Sequence, residues 1–169
     1  YGERAKALGV EAGYPAGRMA VVGNSLPFPS IAEAEIVEPE GSLSVLWMTR
    51  LLPYKKPQLL IDAVKLAHER GVVLRCTFIG AGETDELVAS VAALDLQEYI
   101  RFVGRQSGAQ IFPYLSEARV VAVPGHAGLT VGHALVNGVP VVVNDDPDAN
   151  PPEWEYVVPL GPAEEERTS

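Results

Sequence analysis

Val120-Val-Ala-Val-Pro-Gly-His-Ala-Gly128, running on through Leu129-Thr-Val-Gly-His-Ala-Leu-Val-Asn137 into Gly138-Val-Pro-Val-Val-Val143, is the stretch that decides the fold. Val120–Val123 is apolar without a break, as a strand must be when both of its faces are covered. The proline and glycines of 124–128 end that run. Leu129–Asn137 then has helical period, closed by Gly138, and Pro140–Val143 is a second strand. A strand, a helix and a second strand in so short a span make a βαβ unit in a parallel sheet.

The same alternation extends outward. Leu43–Met48, Leu74–Ile79 and Ile100–Val103 read as three more strands. Gln58–Arg70, Asp85–Ala93 and Gly108–Glu117 read as the helices between them. The first of these places Leu59, Leu60, Ala63, Leu66 and Ala67 on one face and stops at Gly71. The last opens on Ser107 with Gln110 three residues later, the spacing of a capping box. Tyr156–Pro159 admits a sixth short strand. Before Leu43 the pattern differs: Gly2–Leu8 is helical in period, Met19–Val22 reads as a short strand, and Pro27–Gly41 is an irregular connection rich in Pro, Glu and Ala. The polar tail Pro162–Ser169 is expected to fray.

The chain of 169 residues is the size of one domain. Its 13 Lys plus Arg against 22 Asp plus Glu give a net charge of −9, which disfavours long-range attraction to nucleic acid or an anionic membrane. Its single cysteine, Cys76, lies in an apolar strand and excludes an internal disulfide or a cysteine zinc site. There is no apolar run of membrane-spanning length, and no basic-then-apolar signal opens the given sequence; the expected compartment is the cytoplasm. The first residue is Tyr, so the chain reads as a segment of something longer.

Ligands of open parallel sheets sit beyond the carboxyl ends of the strands, where strand order reverses. The loops expected there hold Arg50 and Lys55, Gly80-Ala-Gly82, Gly104-Arg105-Gln106, Gly125-His126-Ala-Gly128 and Asn144-Asp-Asp-Pro147. A guanidinium and an ammonium leaving one strand end can converge on a phosphate. Leu129 and Thr130 open the following helix, whose free N–H groups face the same crevice. The bland readings are solvated loop charges at Arg50 and Lys55, turn glycines at 80 and 82, and a hydrogen-bonded structural role for His126 and His133. Asp145, Asp146 and Asp148, set among prolines, read as turn formers rather than metal ligands.

In this order and spacing the pieces resemble the C-terminal, donor-binding domain of retaining glycosyltransferases with the GT-B fold, specifically glycosyltransferase family 4. The resemblance rests on Val21-Val-Gly-Asn-Ser25, Arg50 with Lys55, Ile79-Gly-Ala-Gly82 and Ile100-Arg-Phe-Val-Gly104. It continues through Gly128-Leu-Thr130, His133-Ala-Leu-Val-Asn-Gly138-Val-Pro-Val-Val142 and Pro152-Glu153. It implies an α/β fold, a Rossmann-like open parallel sheet with helices on both faces, making up one half of a GT-B enzyme. It also implies residues 1–169 as one nucleotide-sugar-binding domain, with 1–41 including the crossover from an N-terminal acceptor domain that this chain lacks.

By the same resemblance, Arg50 and Lys55 hold the donor diphosphate, helped by amides at Leu129 and Thr130, and the base lies by Gly104, Arg105 and Gln106. The implied donor is a nucleoside-diphosphate sugar, the acceptor unknown, with no metal and no other cofactor. The family carries two glutamates separated by seven residues, one near the donor sugar and one on the ribose; here Gly125 and His133 stand in those places, similar to a bacterial subset with Pro-Gly, Gly-Leu-Thr and His. Neither reproduces a carboxylate accepting two hydroxyls. Glu153 or Glu155 is expected to compensate partly. The alternatives are a phosphorylase-like or epimerase-like relative, and a degenerate nucleotide-binding or assembly module without transfer. A receiver domain is disfavoured because neither the first nor the third strand ends in Asp.

Overall fold

The computed structural model describes residues 2–23, 43–146 and 150–157. Pro27–Gly41, Asp148 and the tail from 158 lie outside them. Among the described residues, β1 (Leu43–Met48), β2 (Leu74–Ile79), β3 (Ile100–Phe102), β4 (Val120–Val123) and β5 (Val141–Val143) form one sheet. Their order is β3-β2-β1-β4-β5, with every pairing parallel. Helices α1 (Glu3–Glu11), α2 (Pro57–Glu69), α3 (Asp85–Ala93), α4 (Phe112–Glu117) and α5 (Thr130–Val136) complete the regular structure. The expected α/β, Rossmann-like sheet is the one found.

Alternating side chains of β1 face opposite ways. Val45 and Trp47 enter a core with Leu60, Ile61 and Val64 of α2, Val91 of α3, and Cys76 and Phe78 of β2. Leu46 and Met48 enter the other, with Leu115 of α4, Val131 and Ala134 of α5, and Val121 and Val123 of β4. Helices therefore cover both faces, and each fully buried large apolar side chain contributes about 1.5–3 kcal/mol.

Three expectations need correcting. In α2 the core side is Pro57, Leu60, Ile61 and Val64, while Leu59 and Leu66 are about half exposed. Apolar residues flank the charged stripe of Asp62, Lys65 and Glu69 on both sides, so periodicity left the phase open; burial goes to the flank carrying Ile61 and Val64. Met19–Val22 forms no strand, and Met19 instead ends a 3₁₀ turn at Ala16–Arg18. Tyr156 belongs to a 3₁₀ turn at Pro152–Tyr156 that Val157 ends, rather than to a sixth strand, and the last two residues of that expected strand fall outside the described residues. The segment Gly108–Glu117 divides into a 3₁₀ turn, Gly108–Ile111, and α4; its predicted box forms, with Ser107 N–H donating to Gln110 Oε1 at 3.3 Å.

Candidate functional site

Sheet order reverses between β1 and β4, so the loops leaving those two strands flank the switch point. After β1, Leu51 N–H bonds Ala81 O at 2.9 Å and the Leu51 side chain is buried, which zips this loop to the one leaving β2. Pro53 then opens a single 3₁₀ turn ending at Lys55. That turn carries Lys55 inward until only 6% of it is exposed.

There the Lys55 ammonium donates to the His126 carbonyl oxygen and lies 3.5 Å from His126 Nδ1. It is also next to Gly128, where an added Cβ would be 3.8 Å away. The two loops meet backbone to backbone at Gly125. A Cβ on Gly125 would sit 2.6 Å from the Lys55 Cα and closer still to the Tyr54 carbonyl oxygen. The space that a side chain at 125 would take is therefore filled by the neighbouring loop.

Arg50, Gly80, Arg105, Gln106 and His133 line one cavity of about 430 Å³ beyond the ends of β1, β2 and β3, floored by Met48, Ile79 and Ile111. Gly80 is needed there for close approach, since a Cβ would lie 2.9 Å from the Thr49 carbonyl carbon. Gly80 N–H bonds Gly104 O at 3.0 Å, joining the second and third loops. Gln106 Nε2 donates to Val103 O at 3.0 Å. Thr130 opens α5 and is buried, its hydroxyl donating to Met48 O at 2.6 Å. This bond ties the start of α5 to the end of β1.

Burial, followed by the positive charge of Arg50, holds the Lys55 ammonium below its ordinary pKa, while Glu153 partly offsets both. His126 is lowered first by burial and then by Lys55, against its own backbone hydrogen bond and Glu153. His133 is lowered by burial. Arg50 and Glu153 are thus within electrostatic reach of Lys55, and Lys55 and Glu153 within reach of His126. Glu153 is 3% exposed.

Arg50, Lys55, Gly80, Arg105, Gln106, Gly125, His126, Gly128, Thr130, His133 and Glu153 accordingly gather at the predicted end of the sheet, with Gly104 at its margin. Leu129 lies there too but is about half exposed. Of the two carboxylates expected there as alternatives, Glu153 is present and Glu155 is not. Its carboxylate accepts the Glu3 and Arg4 N–H groups at 3.0 and 3.2 Å and caps α1, because acidic oxygens favour a helix start. Sequence reasoning placed Asn144 in a loop at this end without giving it a role and passed over Asn150 and Trp154; the three hold the β4–α5 loop. Their one signal was position, since Asn144 stands directly after a strand at this end.

A separate cavity of about 380 Å³ opens at the other end of the sheet, by Arg75 and Arg101. Both guanidiniums are already engaged, Arg75 with Glu98 O and Arg101 with Thr77 Oγ1 and Glu117. Among the described residues no helix is long and apolar enough to cross a membrane.

Comparison with known proteins bears on this site. The family model described as Glycosyl transferases group 1 matches residues 31–152. The amylovoran biosynthesis glycosyltransferase AmsK of Erwinia amylovora is 28% identical over 102 residues, 60% of this chain and 24% of that protein. The pneumococcal O-GlcNAc transferase GtfA, solved with UDP and GlcNAc, is 28% identical with a TM-score of 0.55, covering 62% of this chain and 21% of that one. The C-terminal domain of a glycosyl transferase group 1 family protein, LpcC of Francisella tularensis, has a TM-score of 0.56 at 19% identity, covering 70% of this chain and 63% of that one; it supports the fold alone. The chain spans about a quarter of the length of AmsK and about a fifth of GtfA.

Proposed function

The chain belongs to the glycosyl transferases group 1 family, with the parallel sheet of a GT-B enzyme, and from that premise we propose that it is the donor-binding domain of a retaining family 4 glycosyltransferase. In this reading residues 1–169 are one domain, 1–41 include the crossover, and an N-terminal domain supplies the acceptor wall in the cytoplasm. The donor is a nucleoside-diphosphate sugar; UDP, bound by the related GtfA, is the natural first probe.

The observation that carries the reading is the placement of Arg50 and Lys55. Arg50 lines the cavity beyond the ends of β1, β2 and β3, Lys55 is buried on the same loop, and they are close enough for the first to depress the ammonium of the second. Two fixed cations so placed stabilise charge growing on a departing diphosphate without a metal. Their mutual repulsion and desolvation are relieved most when that charge is present, so the stabilisation is concentrated in the transition state.

Gly104, Arg105 and Gln106 border the part of the cavity assigned to the base, and Gly80 lets the ligand approach the backbone. His133 faces the ribose, where a neutral imidazole can make one hydrogen bond. Glu153, the carboxylate that acts electrostatically on both Lys55 and His126, takes up in this reading part of the role that the filled place at Gly125 cannot serve.

Titration of the chain with UDP tests this. Arg50→Ala is expected to weaken binding by about 10- to 100-fold, the value of a hydrogen bond to a charged group, with the melting temperature little changed because Arg50 is exposed. Equal affinity in the variant removes the diphosphate role. The rival reading, a binding module without transfer, predicts the same titration but no turnover when the domain is tested within its full-length protein with acceptor.

A further inference from the structure

The β4–α5 loop is held from outside by side chains that the donor-site reading does not use. Asn144, the first residue past β5, donates from Nδ2 to the carbonyl oxygens of Pro124 at 3.1 Å and Gly125 at 2.8 Å. Asn150 accepts the Ala127 N–H on Oδ1 at 3.2 Å, and its Nδ2 donates to Asn144 Oδ1 at 2.9 Å. Trp154 Nε1 donates to Asn144 O at 3.0 Å. Across Pro124–Ala127, three of four residues thus have a backbone group held by one of two asparagines. The fourth is His126, whose carbonyl receives the Lys55 ammonium.

Chemistry restricts what can stand at 144. Its side chain donates to two carbonyls while its Oδ1 accepts from Asp146 N–H at 3.1 Å and from Asn150. Only an amide offers donors and an acceptor together in this shape. A carboxylate keeps the acceptor side but sets negative charge against two carbonyl oxygens.

Resting on the reading of Arg50 and Lys55 as the diphosphate pair, we propose that Asn144 is a positioning residue for Lys55. By fixing the Pro124 and Gly125 carbonyls it fixes the direction of the next carbonyl in the chain, that of His126, and so the place of the ammonium at the switch point. Asn150 braces the same loop from its far side.

The test reads Lys55 itself. In the full chain with labelled lysines, the Lys55 side-chain resonance is assigned by its loss in Lys55→Met. It is expected to move toward that of an exposed lysine in Asn144→Ala and Asn144→Asp. UDP affinity is expected to fall about tenfold in Asn144→Ala, a loss that a single hydrogen-bonded contact can carry. The same substitution made in a Lys55→Met background is expected to add almost nothing, because the two act through one contact. A merely structural asparagine would lower the melting temperature yet leave the lysine resonance in place and add its full loss in the double variant; that pattern overturns the proposal.

Should Asn144→Ala fail to fold, Asn144→Asp and Asn150→Ala carry the same readouts. Failure of all three to fold makes the network structural and equally overturns it. If the lysine resonance responds but Lys55→Met binds UDP as tightly as the parent, the donor reading fails while the placement of Lys55 by Asn144 stands.

Discussion

The two sides of β1 are held by different forces. Toward β2 and β3, Trp47, Phe78 and Phe102 stack in sequence, with ring centroids 5.5 and 4.9 Å apart, over fully buried Ile61 and Val64. Apolar contact dominates there, although Trp47 Nε1 also donates to Thr49 O at 2.8 Å. Toward β4 and β5, the loop that shapes the site is fixed by Thr130 on the Met48 carbonyl, by Lys55 on the His126 carbonyl and by two asparagines. Apolar packing is non-directional and tolerant, whereas a hydrogen bond to a chosen carbonyl fixes a position to fractions of an ångström. Burial stabilises both sides, and the second adds placement.

A pair of substitutions should separate them. Trp47→Ala, in the packed half, is expected to cost about 3–5 kcal/mol of stability while leaving UDP affinity near that of the parent at temperatures where the chain stays folded. Gly125→Glu restores a carboxylate in name but drives its Cβ into the Tyr54–Lys55 backbone. It is expected to cost a smaller ~1–3 kcal/mol of stability, as overpacking does, and to abolish UDP binding. Thermal melts beside titrations check both. Improved binding in Gly125→Glu would show that the loop yields and that the glycine is a lost carboxylate rather than a packing contact.

The smallest expected effect is pH dependence. Burial holds His133 below its ordinary value, and His126 is lowered as well. The unfolded chain therefore binds protons more readily than the folded one as pH falls. Their contribution to stability is present above about pH 6.5, the unperturbed histidine value, and is lost as pH drops through the lowered folded values. The melting temperature of His133→Gln should fall less steeply than that of the parent between about pH 7 and about pH 5. Parallel slopes would mean that the imidazole is more exposed than the cavity implies.

The same contrast explains what could be read from the sequence. Strands β1, β2 and β4 were legible to the residue, and β3 and β5 to within one, because continuous apolar runs between breakers have few other uses. The end of the sheet where Arg50, His133 and Gln106 meet was legible because strand ends and the switch point follow from topology. The phase of α2 was not legible, since Leu59 and Leu66 are as apolar as Ile61 and Val64 and only packing on Trp47 and Phe78 decides between them. Nor was the direction of Glu155, which depends on α1 lying across the far end of the chain. The asparagine bonds were hidden for a related reason: each joins a side chain to a backbone atom many residues away, and backbone atoms leave no mark on residue type.

The central claim is that Arg50 and Lys55 meet one diphosphate at the switch point. A structure of the chain with UDP tests it most directly. The account predicts the phosphates between the Arg50 guanidinium and the Lys55 ammonium, within hydrogen-bonding reach of both, with the uracil toward Gly104–Gln106 and the ribose against His133. Phosphates bound elsewhere, for instance in the cavity by Arg75 and Arg101, with Lys55 still locked on the His126 carbonyl and Arg50 in water, would contradict it.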